Sequence, residues 1–137
     1  MYKRQAYLAA RGEPRALAEL AAHNCIGYRF VTSGAVYDWD LRDHGRHVSV
    51  AVNGSVRVTD ALHAKELALA GVGIAYLFEP LVRAELAAGA LHQLLPRTAF
   101  EEPGLSLYFA RRTARAPKLR AFIDLAREMF EPRRPRS

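Results

Sequence analysis

Histidines are the first residues in this chain that could do chemistry. His44 and His47 stand three apart around a turn and could bring two imidazoles to one metal ion. Neither a cysteine cluster nor a helical His-Glu-x-x-His accompanies them, so they read more simply as solvated turn histidines. His63 and His92 stand alone. Asp38 and Asp40 share one face of an expected strand, with Asp43 close by. Paired carboxylates can exchange protons with a substrate, yet a meander with an exposed outer face also accounts for them. Ser33 lies in Thr-Ser-Gly, not in the Gly-x-Ser-x-Gly that raises a nucleophile on a sharp turn. Gly71-Val72-Gly73 lacks the third glycine of a dinucleotide loop and follows a helix, not a strand. Cys25, the single cysteine, suits a small apolar core position. No nucleophile–base pair, metal set or cofactor motif emerges, and the expectation is a protein that is not an enzyme.

The elements that must position these residues fit one α/β domain. With 137 residues and 50% hydrophobic side chains, the chain can bury a core. One cysteine rules out an internal disulfide framework. The longest nearly uncharged stretch, Leu67 to Phe78, is broken by Gly71 and Gly73 and is too short to cross a membrane. No secretory leader is expected, and a cytoplasmic protein fits. The net charge of +6 is uneven: Arg111 to Ser137 holds nine basic and three acidic residues, whereas Met1 to Ala110 holds eleven of each. A basic end can attract nucleic acid, but no aromatics interleave Arg133, Arg134 and Arg136, as a base-stacking surface would need.

Met1-Tyr2-Lys3-Arg4-Gln5 matches the translation of a sequencing-library adapter and is set apart from the fold as a scar. Pro14 to Ala22 predicts a short helix, and Cys25 to Val31 a strand that ends in the turn Thr32-Ser33-Gly34. Tyr37 to Arg42 predicts a strand and Asp43-His44-Gly45 its turn. Val48, Val50 and Val52 alternate with small residues as a half-buried strand does. Asn53-Gly54 predicts a hairpin whose return strand holds Val56 and Val58. Asp60 predicts an N-cap for a helix from Ala61 to Ala70, which Gly71 closes. The apolar run Ile74 to Phe78 predicts a strand buried on both faces, parallel to the strand before the helix. Pro80 opens a helix that Gly89 ends. Leu91 to Leu95 and Leu105 to Ala110 predict strands. Pro117 to Phe130 predicts an amphipathic helix with Leu119, Phe122, Ile123, Ala126, Met129 and Phe130 on one side.

Several segments, in this order, resemble one family. Ala6-Tyr7-Leu8-Ala9 with Gly12-Glu13-Pro14 resembles the AYLxxxGxP segment of LysR-type transcriptional regulators. Leu20-Ala21-Ala22-His23-Asn24-Cys25-Ile26 resembles their LxxHxCI run, and Thr32-Ser33-Gly34 the TSG turn of one large subgroup. Ala68-Leu69-Ala70-Gly71-Val72-Gly73-Ile74-Ala75-Tyr76-Leu77 is similar to a further family segment. Pro103-Gly104-Leu105 and Leu119 to Asp124 match its closing strand and helix. Phe78 departs from the proline usual before Glu79.

The resemblance implies a fold: the second lobe of a type 2 periplasmic-binding-protein-like effector domain, a mixed sheet flanked by helices. It implies lobe two over residues 6–103, a return strand and helix of lobe one over 104–131, and a basic disordered tail over 132–137. It implies a small-molecule effector bound between lobes, and DNA contact only through an N-terminal winged helix-turn-helix that this chain does not include. It further implies a homo-oligomeric parent, with no membrane partner. Thr32, Ser33, Gly34, Asp60 and Ala61 are the expected effector-contacting residues, because hydroxyls and free N–H groups there lie at strand ends where α/β clefts form. Two other readings stay open at those positions: Thr32–Gly34 as a plain turn, and Asp60 as a cap alone. The alternatives of other classes are a free-standing solute-binding protein of the same fold, a small enzyme, and a small basic DNA-binding protein.

Overall fold

In the computed structural model, residues 1–101, 108 and 116–130 are described. The elements of the first part, in order, are β1 (Tyr2–Lys3), α1 (Gln5–Arg11), β2 (Cys25–Arg29), β3 (Val36–Tyr37), β4 (Trp39–Asp43) and β5 (Arg46–Val50). Next come β6 (Arg57–Val58), α2 (Ala61–Leu69), β7 (Ile74–Ala75), α3 (Glu79–Ala87) and β8 (His92–Gln93). The chain divides into two compact units, Met1–Glu101 and Glu102–Ser137. Helix α4 (Pro117–Phe130) belongs to the second and has the bounds the periodicity predicts. Its Phe122, Leu125 and Met129 are exposed. The predicted strand Leu105–Ala110 lies outside the described residues.

Strand β2 is the axis of the first unit. β7 pairs with it in parallel at Cys25 and Ile26, and β6 in parallel at Gly27 and Tyr28. β6, α2 and β7 therefore form the expected crossover unit, with β2 as the strand both ends join. β3 adds antiparallel to the end of β2. On the far side of β7 lies β1, antiparallel to both β7 and β8. Two reversed strands, β1 and β3, beside parallel neighbours make the sheet mixed.

Successive strand residues face opposite sides, so each strand feeds two cores. Cys25 and Ile74 join Tyr7, Leu20, Trp39, Leu41 and Leu94 on one face. Ile26 and Ala75 join Tyr2, Ala64, Ala68, Leu77, Val82 and Leu91 on the other. Ala64 and Ala68 stand one helical turn apart on α2, and their small side chains let the helix lie close on the sheet. Lys65 pairs with Glu85 and donates to the Leu81 carbonyl, tying α2 to α3. The opposite face is covered by the β4–β5 hairpin, whose register runs from Trp39↔Val50 to Asp43↔Arg46. Its two turn residues, His44 and Gly45, both have positive φ (47° and 80°), the geometry that matches strand twist in a two-residue hairpin.

Four expectations need correction. Asn53-Gly54 makes no hairpin. The chain passes the start of β2 there: the Asn53 carbonyl accepts from the Cys25 N–H at 3.0 Å, and a Cβ on Gly54 would lie 1.8 Å from the Cys25 oxygen. Gly54 is needed for close approach, not for a turn. The helix predicted over Pro14–Ala22 is only a 3₁₀ segment, Leu17–Ala22, that plants Leu20 in the core. The buried run Ile74–Phe78 stops early, for Phe78 is exposed and leads into α3. Lastly, residues 1–5 do not stand apart, since Tyr2–Lys3 fills a place between β7 and β8.

That placement carries an electrostatic cost. Lys3 is fully buried, its Nζ has no hydrogen-bond partner, and it rests 3.8 Å above the Tyr7 ring. A ring face attracts a cation but does not replace its hydration. Burial lowers Lys3 to about 8, and lowers the amino terminus to about 5. Folding therefore disfavours the charged form of both groups relative to the unfolded chain. The fold gains stability as pH rises from about 8 to lysine's ordinary 10.5, and, through the amino terminus, from about 5 to 8.0. Lys3→Met is expected to raise the thermal midpoint at neutral pH by about 5 °C and to abolish the gain above pH 8, as read from melts across pH.

Candidate functional site

The three parallel strands give the sheet two distinct ends. Chain leaving β2 and β6 forms Thr32–Gly34 and Asp60–Ala61, so the topology brings all five sequence-predicted residues to the carboxyl end of the parallel strands. In open α/β sheets this is the end where ligands bind.

Thr32–Gly34 forms a tight exposed loop. Gly34 takes φ of +69° and donates to the Phe30 carbonyl at 2.8 Å, and Phe30 donates to the Ala35 carbonyl at 2.9 Å. The Ser33 hydroxyl accepts from the Ala35 N–H at 3.2 Å, and Arg29 donates to the Gly34 carbonyl at 2.9 Å. Ser33 and Gly34 thus build the loop, which leaves the exposed Thr32 hydroxyl as its outward polar group. Asp60 caps α2: its Oδ1 accepts from Leu62 N at 2.6 Å and His63 N at 3.2 Å. The carboxylate therefore already occupies the place an anion would take at this helix start. Around these groups the surface is apolar. Phe30, Val31, Leu62 and Phe78, all on segments at this end of the sheet, are exposed. The observed bonds link Thr32–Gly34 within its own loop and Asp60 to its own helix, and none joins the two.

Sequence reasoning missed a network on the hairpin. Asp40 accepts from the Tyr37 hydroxyl at 2.6 Å and pairs with His47 Nε2 at 2.8 Å, while Tyr76 donates to the Asp40 carbonyl at 2.7 Å. The Tyr37 bond, then the His47 bond, hold the Asp40 carboxyl below its usual value, and burial with the Asp40 bond pushes Tyr37 up. The signal was available in the hairpin register. Asp40 faces Ser49, so His47, two residues on, is its diagonal neighbour on the same face. Phe30 packs edge-on to Tyr37 at 5.8 Å, so this network borders the Thr32–Gly34 loop. His44 lies at the turn, exposed, with His47 turned to Asp40. Among the described residues no cluster of His, Cys, Asp or Glu could hold a metal. Cys25 is buried and its thiol is pushed up to about 11, unlike an activated nucleophile.

A model of the LysR substrate binding domain matches residues 3–131. The chain belongs to this family. A Pseudomonas aeruginosa protein named as a transcriptional regulator is 34% identical over 122 residues, which cover 89% of this chain and 40% of that protein. The chain thus spans about two fifths of that relative. YagP of Escherichia coli, named as a LysR family substrate binding domain-containing protein, is 36% identical over 120 residues, 88% of each chain. The regulatory domain of CrgA, a LysR-type regulator from Neisseria meningitidis, superimposes with a TM-score of 0.74 at 24% identity. That match covers 93% of this chain and 62% of the CrgA domain, and it establishes the fold alone. No helix among the described residues is long and apolar enough to cross a membrane.

The cap and ligand roles of Asp60 can be separated. Asp60→Ala is expected to cost about 1 kcal/mol of stability, while Asp60→Asn, which keeps the capping oxygen, costs a few tenths. Urea unfolding of both variants checks this.

Proposed function

We propose that the chain senses a small-molecule effector as lobe two of a LysR-type transcriptional regulator, and is not itself an enzyme. Residues 6–103 form that lobe, 104–131 return to lobe one, and 132–137 are a basic tail. The effector lies against the carboxyl end of the sheet, between this lobe and the other. Its binding shifts the relative orientation of the lobes and so the arrangement of a DNA-bound oligomer in the cytoplasm. DNA is read by a winged helix-turn-helix of the parent, not by residues of this chain. The reading places Thr32 and the backbone of Ser33, Gly34 and Ala61 against the ligand, with Asp60 holding the helix start in place.

The observation that carries this reading is the chemistry of the carboxyl end. It combines exposed Phe30, Val31, Leu62 and Phe78 with a free hydroxyl and a loop of polar backbone. An anion already sits at the helix start, in the form of Asp60. Such a wall suits a ligand with an apolar body and few polar groups. The assignment is tested by titrating isotope-labelled chain with a panel of small aromatic and branched aliphatic compounds. Binders are expected to move the amides of Thr32 to Ala35 and of Ala61 and Leu62. Thr32→Val should weaken binding about tenfold, roughly 1.4 kcal/mol, without changing the thermal midpoint. Binding that leaves those amides still, or ignores Thr32→Val, contradicts the assignment.

A further inference from the structure

The opposite end of the sheet holds a cavity of about 800 Å³. It lies among the chain segments that lead into β2, β6 and β7, near Asn24, Ser55 and Val72, with α1 along one side. It is therefore separate from the Thr32–Asp60 surface. Its volume is within the range of small-molecule sites.

The charge in its wall has one sign. Arg4 and Arg11 line it with the imidazole of His23, and no described Asp or Glu does. Arg4 is steadied over the cavity by donating to the Leu69 carbonyl at 3.2 Å. The Arg11 guanidinium makes no hydrogen bond or ion pair with any described residue. The neutral lining is polar where it is not alanine. Ser55 Oγ accepts from the Asn24 amide at 3.0 Å, which leaves its own proton to donate. His23 is lowered first by burial and then by the fields of Lys3 and Arg11, against a smaller opposing effect of Glu19. Glu13 acts in turn on Lys3. The net field inside the wall is thus positive despite both acids.

We propose that this cavity is a second binding site, one that takes a small molecule bearing an oxyanion, either carboxylate or phosphate. The planar fork of Arg11 matches such a group with two parallel hydrogen bonds. Arg4, His23 and the Ser55 hydroxyl supply the remaining donors. A bound anion favours the charged imidazole, so His23 reports on occupancy by titrating at higher pH. Arg11, His23 and Ser55 suffice to test the site without reference to residues 1–5.

The experiment uses the full isotope-labelled chain, with inorganic phosphate, pyrophosphate and citrate as separate probes. Saturable shifts are expected at the amides of Arg11, Asn24 and Ser55, together with an upward move of the His23 titration and no change at Thr32–Gly34. Arg11→Gln should weaken binding about tenfold, Arg11→Lys less. The stronger of the citrate and phosphate arms identifies the oxyanion. Shifts that do not saturate, a His23 titration unmoved by any probe, or equal binding by Arg11→Gln would overturn the proposal. Shifts centred on Thr32–Gly34 would also overturn it while leaving the effector assignment intact.

Discussion

One asparagine holds together the segments from which the sheet starts. The Asn24 side chain donates to Ser55 Oγ at 3.0 Å and to the Val72 carbonyl at 2.8 Å, and accepts from the Ser55 N–H at 2.7 Å. Its backbone N–H donates to the Tyr7 hydroxyl at 2.8 Å, and its carbonyl accepts from Ile74 N–H at 2.9 Å. These bonds join α1, the chain into β6 and the chain into β7 at the first residue before β2. Each is worth about 1 kcal/mol net, and a partly buried partner left unpaired costs more. Two glycines make the approach possible. A Cβ on Gly73 would lie 2.2 Å from the Asn24 oxygen, and one on Gly54 would lie 1.8 Å from the Cys25 oxygen.

The register of β6 and β7 on β2 follows from this clasp. Register in turn fixes where the strands end, and hence where Thr32–Gly34 and Asp60 emerge. The two ends of the lobe differ in kind. The carboxyl end is apolar with its helix start already capped by a carboxylate. The other end is cationic, polar and concave. A lobe with this division can take two ligands of unlike chemistry. Through the shared clasp, ordering at one end can alter the stability of the other.

Much of this was legible in the residues. Val48 and Val50 fixed the face of the hairpin, Asp60 the cap of α2, Gly71 the end of that helix, and the α4 periodicity both of its bounds. What escaped were facts set by tertiary proximity. Asn-Gly reads as a hairpin because both residues tolerate positive φ, yet at Gly54 the demand is for missing volume, which local sequence does not encode. Residues 1–5 carry no pattern of a core strand. Two such residues nevertheless complete the sheet between β7 and β8, because unpaired backbone edges are satisfied by any extended segment. The buried Lys3 records the poor fit. The five expected site residues did fall at one end of the sheet, because parallel strands force chain that follows them to the same edge. The cavity at the other end gathers Arg11, His23 and Ser55 from distant segments, which spacing could not reveal.

The dependence of the carboxyl end of the sheet on the Asn24 clasp is open to direct measurement by amide hydrogen exchange on the wild-type chain and Asn24→Ala. In Asn24→Ala, protection is expected to fall together at Cys25, Gly27 and Ile74 and in the first turn of α2 beyond Asp60. Loss of protection confined to Ser55 and its immediate neighbours, with the carboxyl end unchanged, would contradict it.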